Sequence, residues 1–164
     1  MESTVNELIN ISVYKTGCRY LAAAQDLMTL EKEHFLPAFV LASFASEIFL
    51  KSLIVKRKKV TGTIDIPGIG VSECYTYKNE FRKFTGHTLS DTFKQINPPG
   101  RARLLSELDS NEADFLHRLS YYDNYFNGLR YFYEERAIQK SDSGIIELAQ
   151  LLEAACRRIG LENE

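Results

Sequence analysis

The longest apolar stretch of the chain, residues 35–55, constrains the fold more than any other feature. Its roughly 21 residues are long enough to cross a lipid bilayer as a helix. The stretch also contains Glu47 and Lys51, and each charge would cost roughly 2.5–3.5 kcal/mol at the centre of a membrane. Because apolar residues surround it on most sides, we predict a buried central helix of a soluble bundle, running from about Pro37 to about Lys59.

Length and composition favour one helical domain. The 164 residues fit a single domain, 1–164, and 45% hydrophobic residues supply a sizeable core. Nine Gly and four Pro are few for this length, which favours helices. The 20 Lys and Arg against 22 Asp and Glu give a formal net charge of −2, so binding to nucleic acid or an anionic membrane would need a local basic patch.

Apolar residues at three- and four-residue steps predict three further main helices. The first opens with a capping box from Thr4 to Glu7, in which each side chain can satisfy a free backbone N–H. The predicted boundaries are about 4–30, 111–131 and 142–159 for the main helices, and 88–96 and 101–108 for two short ones. The fold class predicted from this pattern is all-α, with the conformation of residues 130–143 left open.

The helical pattern fails at about 60–85. Glycines and Pro67 interrupt it, and the β-branched residues indicate extended chain or a short hairpin, with a short helix over 73–84 as an alternative. Gly68 and Gly70 lack the third glycine and the following helix of a dinucleotide fingerprint. We predict a long irregular insertion here, and loops of this length are usually functional or disordered.

Cysteine spacing and the first residues indicate a cytoplasmic protein. Cys18, Cys74 and Cys156 are an odd number of distant cysteines, which favours free thiols over disulfides or a zinc site. The first ten residues, MESTVNELIN, contain no apolar core of a secretory signal. His34 and His117 have no second ligand at helical spacing, so we predict neither a metal nor a cofactor.

The string FVLASFASEIFLKSLI, followed by GHTLSDTFKQI, LRYFYE and a final amphipathic helix, resembles the HEPN (higher eukaryotes and prokaryotes nucleotide-binding) domain. The residues that carry the resemblance are Ala42, Ala45, Glu47 and Lys51 of the central helix, then His87 and Leu89, then Arg130 and Tyr131. It covers about residues 13–159. The resemblance implies an up-and-down bundle of four main helices with short extra helices, commonly assembled as a homodimer.

Members of that family include ribonucleases of toxin and phage-defence systems, partners of nucleotidyltransferases, and proteins without catalysis. The nuclease members carry Arg and, a few residues later, His on the late helix. Here Glu135, Arg136 and Ala137 follow Arg130 at that distance, so the acid/base histidine has no counterpart.

The resemblance therefore implies a catalytically degenerate interaction or nucleotide/RNA-associated module in a bacterial defence, toxin–antitoxin or nucleotide-signalling context. Its partners would be a second copy, a nucleotidyltransferase or other defence-system protein, and RNA or a nucleotide, with no membrane. The alternative is a HEPN ribonuclease or other RNA-acting enzyme with a non-standard active site formed by Arg130, Glu134 and His87.

Two side-chain groups have both structural and functional interpretations. Glu47 and Lys51, four residues apart, predict an ion pair on one helix face. It would belong either to a polar network that crosses the bundle or to a ligand-binding pocket, together with His87, Arg130 and Tyr131. If the pair is buried, Glu47→Ala should destabilise the protein by roughly 3 kcal/mol or more.

The second group is aromatic. The segment 121–133 holds more aromatic residues than one helix face can bury, which indicates a dimer interface or, alternatively, stacking on nucleic-acid bases. The predicted interface residues are Tyr121, Tyr122, Tyr125, Phe126 and Tyr133. The basic run 56–59 is interpreted as a solvated helix end, with an RNA phosphate contact as the alternative.

Overall fold

The computed structural model of the protein describes residues 2–4, 8–30, 35–80, 85–86, 88–125, 128 and 142–161. Within these residues the elements follow one another as a short strand, two long helices, two long strands and four more helices. In chain order they are β1 (Glu2–Thr4), α1 (Ile11–Met28), α2 (Phe35–Ser52), β2 (Lys56–Ile66), β3 (Gly70–Glu80), α3 (Leu89–Lys94), α4 (Pro98–Glu107), α5 (Glu112–Tyr122) and α6 (Gly144–Leu161).

Helix α2 forms the centre of the helical part, as its composition predicts. Ala38, Ala42 and Ala45 are fully buried and allow α1 and α6 to approach closely. In the described part of the chain α2 is also the one helix long and apolar enough to cross a membrane, but half of it is buried inside the fold. Because the core helix of a soluble protein has the same length and hydropathy, the structure is compatible with a soluble protein.

The predicted all-α fold class, including the HEPN-like bundle architecture, is wrong, because the chain has a mixed α and β fold. β2 and β3 form an antiparallel hairpin paired from Lys56↔Glu80 to Ile66↔Gly70, and β1 adds a third strand beside β2. Gly68 and Gly70 have φ of +82° and +96°, a left-handed backbone that glycine adopts without steric cost. The hairpin expected as one alternative for residues 60–85 is therefore confirmed, while the irregular insertion is wrong and residues 73–80 are strand rather than helix.

The boundaries of α1 and α2 differ from the prediction at the end where the two helices meet. Helix α1 begins at Ile11 with Asn10 as its N-cap, while Thr4 of the predicted capping box pairs with Lys58 in the sheet. Helix α2 ends at Ser52, well before Lys59. The backbone N–H of Asn10 donates to the Ser52 carbonyl at 2.7 Å, so the start of α1 lies beside the end of α2 and the helices are antiparallel.

Two of the shorter helices, α3 and α5, begin where the sequence predicts. The side chain of Thr88 accepts a hydrogen bond from the Asp91 backbone at the start of α3, and Asn111 caps α5 in the same way. Asn97 caps α4, which places prolines in its first turn, so its start lies a few residues before the predicted position. Helix α5 is described to Tyr122, and the predicted extension of this helix to Tyr131 falls largely outside the described residues.

Candidate functional site

Several residues of the predicted sites lie outside the described part of the chain. The structure therefore leaves untested both the alternative active site and most of the predicted polar network. These residues are His87, Phe126, Arg130, Tyr131, Tyr133 and Glu134.

Glu47 and Lys51 form an ion pair on α2. Lys51 Nζ lies 2.6 Å from Glu47 Oε1, and the side chains of Lys51 and Glu47 keep 27% and 19% of their surfaces exposed. A pair with this access to water contributes about 1 kcal/mol or less, because solvent screens it. The roughly 3 kcal/mol loss predicted for a buried pair therefore does not apply.

The described aromatic residues of the predicted dimer interface separate into two environments. Tyr122 and Tyr125 are 7% and 3% exposed and pack within the chain, where the Tyr125 hydroxyl accepts from the Asp142 backbone N–H at the start of α6. Burial raises the pKa of Tyr122 to about 12, so its hydroxyl stays protonated at neutral pH. Tyr121 is 57% exposed and is the described member of this set that a partner could contact. The dimer itself stays a prediction.

A cleft of about 720 Å³ opens between α1, α2 and the base of the hairpin. Three of its lining residues are cations, and none of the described lining residues is acidic. Lys15 and Arg19 lie four residues apart on α1 and are exposed, while Lys51 faces them from α2. The described residues that line it are Ser12, Val13, Lys15, Thr16, Arg19, Ile48, Lys51, Val55 and Asn79. This combination of cations and neutral donors suits an anionic ligand.

Asn10 connects the three elements that form the cleft. Its side-chain oxygen accepts from the backbone N–H groups of Ser12 and Val13, at 3.1 and 3.2 Å, and so caps α1. Its side-chain nitrogen donates to the Val55 carbonyl after α2, at 3.3 Å, and to Asn79 Oδ1 of β3, at 2.9 Å. Asn10 is 3% exposed, so these contacts replace water on a buried amide and fix the hairpin relative to the helices.

One face of the hairpin carries alternating aromatic and cationic residues. The Arg57 guanidinium lies 4.3 Å from the ring centroid of Tyr77, and Lys59 Nζ lies 4.3 Å from that of Tyr75. The two rings meet edge to face, with centroids 5.6 Å apart. We call these four residues the hairpin ladder. Although β2 and β3 are described in full, none of their residues is buried, so the hairpin extends into solvent.

The cleft and the hairpin ladder form one continuous surface. Asn79, which lines the cleft, pairs directly with Arg57, and Lys59 pairs directly with Tyr77. Directly opposed residues of an antiparallel pair have their side chains on the same face of the sheet. The basic lining of the cleft therefore leads onto the ladder without a change of face.

Comparisons with known proteins give this site no precedent. No family model, curated protein or solved structure matches the chain. In the described ranges, no group of three or more His, Cys, Asp or Glu side chains is placed to hold a metal ion. The function is therefore argued from the cleft and the ladder themselves.

The sequence analysis did not identify Lys15, Arg19, Tyr75 or Tyr77 as site residues. Cations four residues apart on an amphipathic helix are ordinary surface residues until a second helix faces them. A signal for the ladder was present, since Tyr75 and Tyr77 alternate with polar residues at strand spacing, and the basic run precedes a Pro-Gly turn. Interpreting the basic run as the end of a helix concealed that pairing.

Proposed function

We propose that the protein is a nucleotide- or RNA-associated binding module without catalysis of its own, and that the phosphates of its ligand bind in the cleft between α1, α2 and the hairpin. The observation that carries this proposal is the set of three cations that line the cleft, of which Lys51 is paired with Glu47, in a chain whose net charge is −2. A local concentration of positive charge on a chain of negative net charge indicates a site for an anion rather than non-specific electrostatic binding by the whole surface.

The chemistry of the lining supports phosphate binding over proton transfer. Arg19 can donate two parallel hydrogen bonds to a phosphate and stays protonated, while Lys15 supplies a mobile point charge. Asn79 adds a neutral donor beside them, because its amide has two N–H groups and one of them suffices for the 3.2 Å hydrogen bond to Ser12 Oγ. The described lining contains neither histidine nor carboxylate that could act as a general acid or base.

The family and the compartment belong to the same proposal. The HEPN resemblance stays a prediction that rests on the sequence, on the order of Glu47, Lys51 and Leu89 along the chain. It would place the protein in the cytoplasm, in a bacterial defence, toxin–antitoxin or nucleotide-signalling context, with a second copy or a nucleotidyltransferase as protein partner.

The double variant Lys15→Ala/Arg19→Ala tests the cleft. We expect it to bind a fluorescein-labelled, unstructured oligouridine about 10-fold or more weakly than the unchanged protein, because each charged hydrogen bond contributes about 1.5–3 kcal/mol. The slope of log K against log salt should also become shallower by about 0.7 for each phosphate that no longer meets a cation. Fluorescence anisotropy at several salt concentrations measures both quantities.

As a matched control, Lys94→Ala/Arg118→Ala removes two cations of other helices and should change neither the affinity nor the salt dependence. Unchanged affinity in the cleft variant would refute the proposal.

Glu47→Gln tests the sign of the electrostatic effect. The substitution removes the carboxylate that lies 2.6 Å from Lys51 Nζ and leaves a side chain of the same shape. We expect oligouridine to bind up to about fivefold more tightly, because one unit of negative charge leaves the edge of the cleft. The free energy of unfolding should change by no more than about 1 kcal/mol, as measured by urea denaturation. Weaker binding with unchanged stability would show that Glu47 itself contacts the ligand.

A further inference from the structure

We infer that the hairpin ladder is a stacking platform for unpaired bases, so that the ligand of the cleft is a single-stranded nucleic acid rather than a mononucleotide or a duplex. This inference rests on the proposed phosphate-binding cleft and adds a binding surface for the uncharged part of the ligand, its bases. Its observations are the exposure of Tyr75 and Tyr77, the cations beside them and the path that joins them to the cleft.

Both rings are accessible although they are large and largely apolar. Tyr75 is 58% exposed and Tyr77 is 47% exposed, and the hairpin that carries them buries none of its own residues. Neither ring therefore serves a core. Aromatic rings held on a strand and open to solvent are the surfaces on which proteins that bind single strands stack successive bases.

The cations of the ladder suit the same ligand. The Arg57 guanidinium lies over the ring of Tyr77 and Lys59 Nζ lies over the ring of Tyr75, which holds the rings in place. A base would stack on the opposite, open side of a ring, with positive charge close to it. Acidic residues of the same face, Asp65 and Glu73, lie further toward the hairpin tip, since they pair with Val71 and Thr63. The positive part of the face is thus the part next to the cleft, and a phosphate backbone would run in that direction.

The length of the path sets the minimum size of the ligand. Four residues separate Asn79 at the cleft from Tyr75, and a strand rises about 3.4 Å per residue, so the two points are about 14 Å apart. A single nucleotide in the cleft would not reach Tyr75. A strand of several nucleotides can place phosphates between Lys15 and Arg19 while its neighbouring bases lie on the two rings.

The test compares strands with and without bases. The probes are a labelled oligouridine of about 12 nucleotides, within the usual range of about 4–16 nucleotides for a single-strand site, and a ribose-phosphate strand of equal length that lacks bases. We expect the unchanged protein to bind oligouridine at least fivefold more tightly than the base-free strand, and more tightly than a duplex of equal length. In Tyr75→Ala/Tyr77→Ala that preference should disappear while the base-free strand binds as before.

Matched variants separate stacking from other effects. Tyr75→Phe/Tyr77→Phe keeps both rings and should keep the preference, whereas Leu151→Ala removes an exposed apolar side chain of α6 and should change nothing. Circular dichroism checks that each variant keeps its secondary structure. Equal affinity of the unchanged protein for the two strands, or a preference that survives in the alanine variant, would overturn the stacking role. If the unchanged protein shows no preference for strands with bases but Lys15→Ala/Arg19→Ala loses all binding, the stacking role is overturned and the phosphate-binding cleft is still supported.

Discussion

Replacing Asn10 with alanine is expected to lower the free energy of unfolding by about 2–4 kcal/mol. Loss of an N-cap costs about 0.5–2 kcal/mol, and the buried carbonyl of Val55 would lose a donor as well. The substitution also removes the 2.9 Å hydrogen bond to Asn79 on β3, so that Asn79 keeps its weaker contact with Ser12 on α1, at 3.2 Å. Urea denaturation followed by circular dichroism gives the free energy directly.

Asn111 provides the matched control for Asn10. It caps α5 through the Asp114 backbone N–H at 2.9 Å, but it is exposed and makes no described contact to another element. Asn111→Ala should therefore cost only the cap, about 1 kcal/mol. Equal losses in the two variants would show that Asn10 is merely a cap and does not fix the hairpin. A displaced hairpin should in addition weaken oligouridine binding in Asn10→Ala and leave it unchanged in Asn111→Ala.

Gly17→Ala is expected to destabilise the protein by about 1–3 kcal/mol, although alanine is the better helix former by about 1 kcal/mol. Gly17 lies in the middle of α1, and an added Cβ would lie 2.6 Å from Cε1 of Phe49 on α2. Phe49 is fully buried and its ring packs against Tyr14, so the ring cannot move away from the added Cβ without displacing other core side chains. Either the helices separate or the ring leaves its rotamer, and both cost packing energy. Thermal or urea unfolding measures the loss.

Two comparisons make the Gly17 prediction specific. Gly160→Ala adds a methyl group to α6 at ordinary contact distances of 3.4 Å or more, so it should be neutral or stabilising by up to about 1 kcal/mol. In a double-mutant cycle, Phe49→Leu should offset part of the Gly17→Ala loss, because the ring atoms that clash are gone. Strictly additive effects in the cycle, or a Gly17→Ala variant as stable as Gly160→Ala, would contradict the close contact between α1 and α2.

The helices were predictable because their signals are local. Apolar periodicity identified α1, α2, α5 and α6, and side chains such as Thr88 and Asn111 mark helix starts within a few residues. The predicted start of α1 was wrong because the same residues suit either a helix cap or a strand. Thr4 and Glu7 have the spacing of a capping box, but strand pairing with β2 takes the backbone of Thr4 instead.

A short hairpin was among the expectations for residues 60–85, but the full extent of the sheet was missed because its determinants are distant or ambiguous. The basic residues 56–59 suit the negative end of a helix dipole as well as a solvent-exposed strand, so their charge does not decide between the two. Their pairing with residues 77–80 depends on the turn at Gly68 and on the register that it sets. β1 depends on a partner strand more than fifty residues away, and no local pattern encodes such a contact.

The cleft could not be predicted from residue types alone. Lys15 and Arg19 have the spacing of any solvated helix face, and they become a site only because α2 and Asn79 close the space around them. The cleft is formed by the antiparallel packing of α1 and α2 and by the hydrogen bonds of Asn10. These are tertiary contacts between residues that are distant in the sequence. The Glu47–Lys51 pair, by contrast, follows from sequence spacing alone.

The most direct test of the cleft and its ladder is to map ligand binding residue by residue by nuclear magnetic resonance. Uniformly ¹⁵N-labelled protein is titrated with the oligouridine of about 12 nucleotides, a length within the usual range for a single-strand site, and amide shifts are followed at each step. The account predicts that the largest shifts occur at Lys15, Arg19, Tyr75, Tyr77 and Asn79. The amides of α5 and of the middle of α6 should hardly move. Shifts concentrated on α5 and α6, or no shifts at all, would contradict it.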